Sequence, residues 1–283
     1  MPTANHAGAR TSDSDGLGRI AIIGLGRIGA AIAAAVVADD DMDPVNLVGV
    51  EPNADRRAEV GAELGIATVA DTRDAVAGAD IVVFAVKPHL VADVAGQVGP
   101  EVDTSTLVVS VAAGIRTDTI QHALGRDLPV VRIMPNTPLL VGHGMSVLTP
   151  GAFAGDDHVA RAAALVTGAG DVRVIDESLF DAVTAVSGSG PAYVFALAEA
   201  MVAGAIEQGL EPDDAVALVE QTVAGAGVLL RGSEHDAGSL REMVSSPGGT
   251  TLAGLEALGT HDFSGAVVAA IDAATRRGRE LGA

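Results

Sequence analysis

The sequence predicts an α/β fold followed by a purely helical domain, and three observations carry that prediction. Short β-branched runs alternate with helical segments up to residue 175, the pattern of a parallel sheet with crossover helices. The first run leads straight into Gly24-Leu25-Gly26-Arg27-Ile28-Gly29 and then an alanine-rich helix. From residue 179 onward no strand-like run interrupts the helical pattern. The expected division is a disordered extension over 1–17, a Rossmann dinucleotide-binding domain over 18–177, and an all-α dimerisation domain over 178–283.

Residues 19–23 are a short run rich in β-branched side chains, read as a buried strand. The GxGxxG turn follows in the strand–turn–helix context that gives the motif its meaning. Gly24 permits the tight turn, Gly26 lets a pyrophosphate approach the backbone, and Gly29 lets helix and strand pack closely. A pyrophosphate would rest on the N-terminus of the helix over 30–38, with Arg27 and Ile28 in the turn beside it. Residues 47–50 form the second strand, and Glu51 ends it. An acid about 20 residues past the glycine turn accepts from the ribose hydroxyls of NAD and repels the 2′-phosphate of NADP. Arg56, Arg57 and Arg27 oppose that preference if they bind the phosphate; otherwise Arg56 and Arg57 pair with Glu51 and Asp55 on a solvated helix start.

Strands are expected at 66–69 and 81–86, joined by the acidic, alanine-rich segment 71–79. The second ends in Ala85-Val86-Lys87-Pro88-His89, and strand ends of an open parallel sheet are where ligands bind. Lys87 is the only lysine of the chain: either a point charge or loop tether near a cofactor, or a surface base kept by chance. Further strands are expected at 106–111, 130–133, 145–148 and 172–175, with a helix at 160–168. Met134-Pro135-Asn136-Thr137-Pro138 is a rigid turn in which Asn136 either contacts a cofactor amide or caps the turn.

In the second half, residues 181–193 read DAVTAVSGSGPAY. Pro191 suits the first turn of a helix, Ser189 or Gly190 can cap it, and the free N–H groups there, near Ser187, favour a carboxylate. Helices are expected over 191–208, closed by Gly209, over 211–231, stopped at Gly232, and over 262–281. Residues 244–251, VSSPGGTT, form a second hydroxyl- and glycine-rich stretch before another helix, and the two stretches can face one pocket. The helices are apolar on most faces, so one small domain cannot bury them and a two-fold partner subunit is inferred.

These motifs, in this order and spacing from residue 20 to the C-terminus, resemble the pyrroline-5-carboxylate reductase family. The pairing of DAVTAVSGSGPAY with VSSPGGTT carries most of the resemblance. It implies hydride transfer from NADH or NADPH to the imine carbon of pyrroline-5-carboxylate, yielding proline, by a homodimer or a larger ring of dimers. It also implies that Ala85, Val86, Lys87 and Pro88 run along the cofactor ribose, and that Val111, Ala112 and Ala113 lie beside the nicotinamide. Ser187, Ser246, Gly248, Gly249 and Thr250 are then expected around the substrate, with Glu177 nearby and Glu234 as a recurring acid. Thr251 is expected at the ring nitrogen, as the candidate catalytic donor. Family members often take NADPH and carry a small polar residue where this chain has Glu51, a departure that favours NADH here.

Composition bounds the alternatives. The 283 residues are 48% hydrophobic but only 2% aromatic, so the core must be built of Ala, Val, Leu and Ile. A net charge of −20, from 37 acids against 17 bases, argues against nucleic acid and against anionic membranes as partners. Such an acidic, lysine-poor chain fits a protein kept soluble in concentrated salt, or the product of a GC-rich genome. The absence of cysteine excludes disulfides and thiolate chemistry, and the seven histidines form no close ligand pair for zinc. No signal-like segment is seen and residues 20–38, interrupted by Arg27 and glycines, do not read as a membrane span, so a cytoplasmic location is expected. Two other functions stay open: a β-hydroxyacid dehydrogenase, whose helical-half lysine is missing here, and a non-catalytic dinucleotide sensor, which would not need VSSPGGTT.

Overall fold

The computed structural model describes residues 16–39 and 42–282. The extension expected over 1–17 lies outside them except for Gly16 and Leu17. The chain divides into two units, Met1–Glu177 and Ser178–Ala283.

The first unit runs β1 (Ile20–Ile23), α1 (Arg27–Val37), β2 (Leu47–Val50), α2 (Ala54–Leu64), β3 (Ala67–Val69), α3 (Thr72–Val76), β4 (Ile81–Phe84), α4 (Val91–Val98), β5 (Leu107–Ser110) and α5 (Thr117–Leu124). It continues through β6 (Val130–Pro135), β7 (Gly144–Pro150), α6 (Asp156–Thr167) and β8 (Gly170–Val174). The strands form one sheet of eight in the order β3-β2-β1-β4-β5-β6-β7-β8. Alternate residues of each strand face opposite ways. Ile20 and Ile22 of β1 meet Ile32 and Val36 of α1 and Leu165 of α6, whereas Ala21 and Ile23 meet Val91 and Val98 of α4 and Ile120 of α5. Both faces are therefore covered, which is why these strands are continuously apolar rather than alternating.

The sheet departs from the expected all-parallel order at β7, which runs antiparallel to β6, with β8 parallel to β7. The residues between β6 and β7 are too few for a crossover, which needs a dozen or more. A tight turn over Thr137–Val141, with Pro138 in its first turn, reverses the chain instead. α6 starts at Asp156, a full turn before residue 160, because Asp156 and Asp157 suit its positive N-terminus and the His158 ring nitrogen accepts from Gly155 N–H at 3.0 Å. The short helices α4 and α5 have no counterpart among the sequence expectations.

The second unit is helical: α7 (Phe180–Val183), α8 (Gly190–Glu207), α9 (Pro212–Gly232), α10 (Ala237–Met243), α11 (Thr250–Thr260) and α12 (Phe263–Gly282). The stretch read as a capping loop before Pro191 is not a loop. A π-turn over Thr184–Gly188 joins α7 to α8, with Ser189 N–H donating to the Thr184 carbonyl at 2.8 Å. Ser189 keeps helical angles (φ −86°, ψ −22°) and caps nothing with its side chain. Pro191, lacking an N–H and crowding the preceding turn, would break a regular helix, and the wider turn accommodates it. α8 packs on α9, and α12 packs on α7 and the π-turn.

Among the described residues of this unit only Phe180, Ala185, Ala215 and Val219 are buried. Phe195, Leu218, Val228 and Val268 are each more than half exposed, Val228 at 73%. The helical run 177–207 and α9 are long and apolar enough, by length and composition, to cross a membrane. Such helices demand a covering phase of some kind.

Candidate functional site

The first unit presents a cradle at the end of β1. Gly24 takes φ +97° and donates its N–H to the Val50 carbonyl at 2.8 Å. A Cβ there would stand 2.7 Å from the Ala85 carbonyl oxygen, so the glycine turn and the end of β4 are in close contact. A Cβ on Gly29 would meet the Gly24 carbonyl oxygen at 1.9 Å. Gly26 differs, because nothing lies within 4 Å of the place its Cβ would take. Two of the motif's glycines thus serve packing, and the third opens space at the N-terminus of α1. Gly26 is the N-cap of α1 with no capping side chain, so the first N–H groups of Arg27, Ile28 and Gly29 point to that space. An uncapped helix start beside an open glycine fits a pyrophosphate, and the residues present therefore suit a dinucleotide.

Glu51 braces this cradle. Its carboxylate accepts from Leu25 N–H at 3.2 Å and from Asn53 N–H at 3.0 Å. Arg56 Nε donates to the Leu25 carbonyl at 2.9 Å, so the peptides on both sides of Leu25 are held by side chains. Arg57 donates to the Glu51 carbonyl at 2.7 Å. Arg57 therefore bonds Glu51's backbone and Arg56 pairs with Glu59, at 2.8 Å, rather than either meeting the Glu51 carboxylate. The Leu25 side chain is buried against Gly49, where a Cβ would fall 2.7 Å from Leu25 Cδ1. Sequence reasoning missed Gly49 and Asn53, because each matters only through Leu25 or Glu51 and no motif marks them.

The other expected cofactor residues gather along neighbouring strand ends. Ala85 N–H donates to the Ile23 carbonyl at 2.9 Å, placing Ala85 and Val86 beside the glycine turn. Lys87 is exposed and leads into a tight turn at Pro88–Leu90. Val111 N–H donates to the Phe84 carbonyl at 3.0 Å; Ala112 is buried, and Ala113 is exposed. Asn136 Oδ1 accepts from Met145 N–H at 2.8 Å, which ties the β6–β7 turn together.

Glu177, expected near a substrate, is engaged by residues of the first unit. Its oxygens accept from Thr117 N–H and Thr117 Oγ1, both at 2.8 Å, and from Arg132 Nη1 at 3.1 Å. Arg116 stands 3.9 Å away. Glu177 thus caps α5 from a distance of 60 residues and neutralises Arg132, whose side chain is 4% exposed. Burying that guanidinium requires an acid, and this is the physical reason the carboxylate turns inward.

In the second unit, Ser187 lies in the π-turn and is half-buried. VSSPGGTT makes a tight turn in which Gly249 N–H donates to the Ser246 carbonyl at 3.0 Å and Gly248 takes φ +72°. Gly249 is the N-cap of α11 and has no capping side chain. A Cβ there would strike Ser246 Oγ at 2.5 Å, so the serine hydroxyl lies over the glycine. Thr184, Thr222, Thr260 and Thr275 each donate to the carbonyl four residues back, at 2.7–3.0 Å. Thr250 and Thr251 open α11 and have no turn behind them; among the described residues neither hydroxyl is engaged. This helix start therefore offers free N–H groups and two free hydroxyls. Glu234 is exposed between α9 and α10.

Comparison with known proteins agrees with both units. A family model described as pyrroline-5-carboxylate reductase dimerisation matches residues 177–281, and one described as NADP oxidoreductase, coenzyme F420-dependent, matches residues 19–114. The pyrroline-5-carboxylate reductase of Arabidopsis thaliana is 36% identical over 93% of this chain and 95% of its own length. The reductase of Pseudomonas aeruginosa is 38% identical over 93% and 96%. Among solved structures, that of a Coxiella burnetii pyrroline-5-carboxylate reductase superposes with a TM-score of 0.89 at 32% identity, covering 95% of this chain and all of that one. A Plasmodium falciparum pyrroline carboxylate reductase with NADP bound gives 0.84 at 26% identity, covering 94% and 98%.

Proposed function

The chain belongs to the pyrroline-5-carboxylate reductase family, and we infer from its own residues how it reduces 1-pyrroline-5-carboxylate to L-proline by hydride transfer from NAD(P)H. The observation that carries the assignment of roles is the uncapped start of α11, where two threonine hydroxyls are not engaged by any of the described residues.

NAD(P)H supplies the hydride when bound. The open space at Gly26 and the N-terminus of α1, supported by the packing of Gly24 and Gly29, would hold its pyrophosphate, Ala85 to Pro88 would lie along the ribose, and Ala112 and Ala113 would leave room for the ring. Reduction of the imine adds one hydride to carbon and one proton to nitrogen. The substrate carboxylate suits the N–H groups and hydroxyls of Ser246, Gly248, Gly249 and Thr250, because an anion at a helix start is favoured by unsatisfied donors and by the dipole. Thr251 Oγ1 then hydrogen-bonds the ring nitrogen. A hydroxyl is a poor acid, so Thr251 orients the nitrogen and passes on a proton taken from water. Glu177 is assigned no proton here, because its oxygens are engaged by Thr117 and Arg132.

The exposed apolar helices support a homodimer, or a ring of dimers, whose partner subunit covers the faces that length and composition alone would also allow in a membrane. The net charge of −20 supports work in concentrated salt and not on nucleic acid. The compartment proposed is the cytoplasm.

The test is steady-state reduction of pyrroline-5-carboxylate by NADH and NADPH at low and multimolar KCl, with Thr251→Ala beside the native chain. Activity rising with salt is expected. The substitution should lower turnover roughly 100-fold, the scale of a lost proton-transfer group, while leaving cofactor affinity unchanged. Unchanged turnover would remove Thr251 from the mechanism. A folded, dinucleotide-binding chain with no turnover would point to the sensor instead.

A further inference from the structure

We propose that Glu51 makes this chain select NADH over NADPH, an inference that rests on the reductase reading and names its reductant. The residue follows β2, whose Val50 pairs with Ile23 at the mouth of the glycine turn. In a fold of this kind the adenosine ribose lies there, and an acid at this point accepts from its 2′ and 3′ hydroxyls.

Position alone does not decide the matter, because a flexible acid could swing aside for a phosphate. Glu51 is not flexible. One oxygen accepts from Leu25 N–H, within the glycine turn, and the other from Asn53 N–H, at the start of α2. Leu25 is fully buried, so moving the carboxylate would strand an amide that has no water to turn to. Each oxygen still has a second lone pair, enough for one ribose hydroxyl apiece. The same anchoring that admits two hydroxyls fixes a negative charge where a 2′-phosphate, itself carrying nearly two charges, would have to sit.

Arg56 and Arg57 do not reverse this. Arg56 spends Nε on the Leu25 carbonyl and Nη1 on Glu59; Arg57 spends Nη1 on the Glu51 and Pro52 carbonyls. Both brace the loop, and three acids, Glu51, Asp55 and Glu59, stand among them in the chain.

Direct titration of the full chain with NADH and with NADPH, followed by calorimetry without substrate and at a salt concentration where the chain is folded, tests this. The native chain should bind NADH at least ten-fold more tightly. Glu51→Gln keeps an acceptor for one amide and removes the charge, and the two affinities should then come within about three-fold of each other, a residual gap set by the missing phosphate site. Equal or tighter NADPH binding by the native chain overturns the proposal, as does a Glu51→Gln variant, folded by circular dichroism, that keeps the native ratio. If that variant fails to fold, the native ratio alone decides. Because no substrate is present, a chain that prefers NADH yet reduces no pyrroline-5-carboxylate would sink the reductase reading and leave this one standing; a reductase that prefers NADPH would do the reverse.

Discussion

At the scale of single residues, the protein shows how far side chains act through partners distant in sequence. Glu177 is the clearest case, holding Thr117 and Arg132 from 60 and 45 residues away. Replacing it with Gln removes a charged partner of the buried Arg132 guanidinium and should destabilise the first unit by about 3 kcal/mol, the low end for a broken buried pair. Urea denaturation measures this, and a loss below about 1 kcal/mol would show that the pair is screened as surface pairs are. The GxGxxG turn was legible in the sequence because its demands are local: one glycine with positive φ, one close approach and one open face within six residues. Gly49, Asn53 and the engagement of Glu177 were not. Gly49 is required only because Leu25 packs on it, and no feature of residues 47–50 announces that. The same holds for Glu177: nothing next to it in the sequence announces its bonds to Thr117 and to the buried Arg132.

At the scale of elements, hydrophobic pattern located every strand of the sheet to within a few residues, the central ones most sharply because strands apolar on both faces stand out from their surroundings. Two features escaped it. The direction of β7 depends on the length of a connection rather than on the strand's own residues. The helical path through residues 180–207 was hidden because SGSGP carries the local marks of a break, whereas the π-turn in fact packs against α12. Helix caps, by contrast, respond to simple chemistry. Asp236 caps α10 by accepting from Ser239 N–H at 2.7 Å, and that bond holds its carboxyl below the usual aspartate range. A carboxyl so depressed stabilises the helix above the pKa of the unfolded chain, and loses that effect as the pH falls through its own lowered value. Amide hydrogen exchange at Ser239 and Leu240 should therefore quicken in acid relative to an Asp236→Asn variant, whose amide caps without titrating. Parallel behaviour of the two would mean that the cap contributes nothing.

At the scale of the whole molecule, the two units are built on opposite terms: a sheet covered on both faces, and helices whose apolar side chains remain exposed. One face of α9, with Ala217, Leu218, Gln221 and Gly225, lines an open groove of 690 Å³. Leu218→Asp should convert the proposed assembly to monomers in sedimentation experiments, while Val45→Asp, still more exposed but in the first unit, should leave it intact. Dissociation by both, or by neither, would mean that α9 is not the contact. The sequence marked these helices as needing company, because a helix apolar all round is unstable in water whatever its fold. The sheet, for its part, ends at β3 and β8, and strand margins of this kind are templates on which stray chains can grow into fibrils. β3 is only three residues long, and β8 reads Gly-Asp-Val-Arg-Val, with Asp171 and Arg173 alternating with valines along the outer strand. A chain arriving edge-on would find either too short a template or opposed charges in its path. Growth by strand addition is thus discouraged in a protein whose helices keep apolar side chains exposed, and association is left to the helical surface.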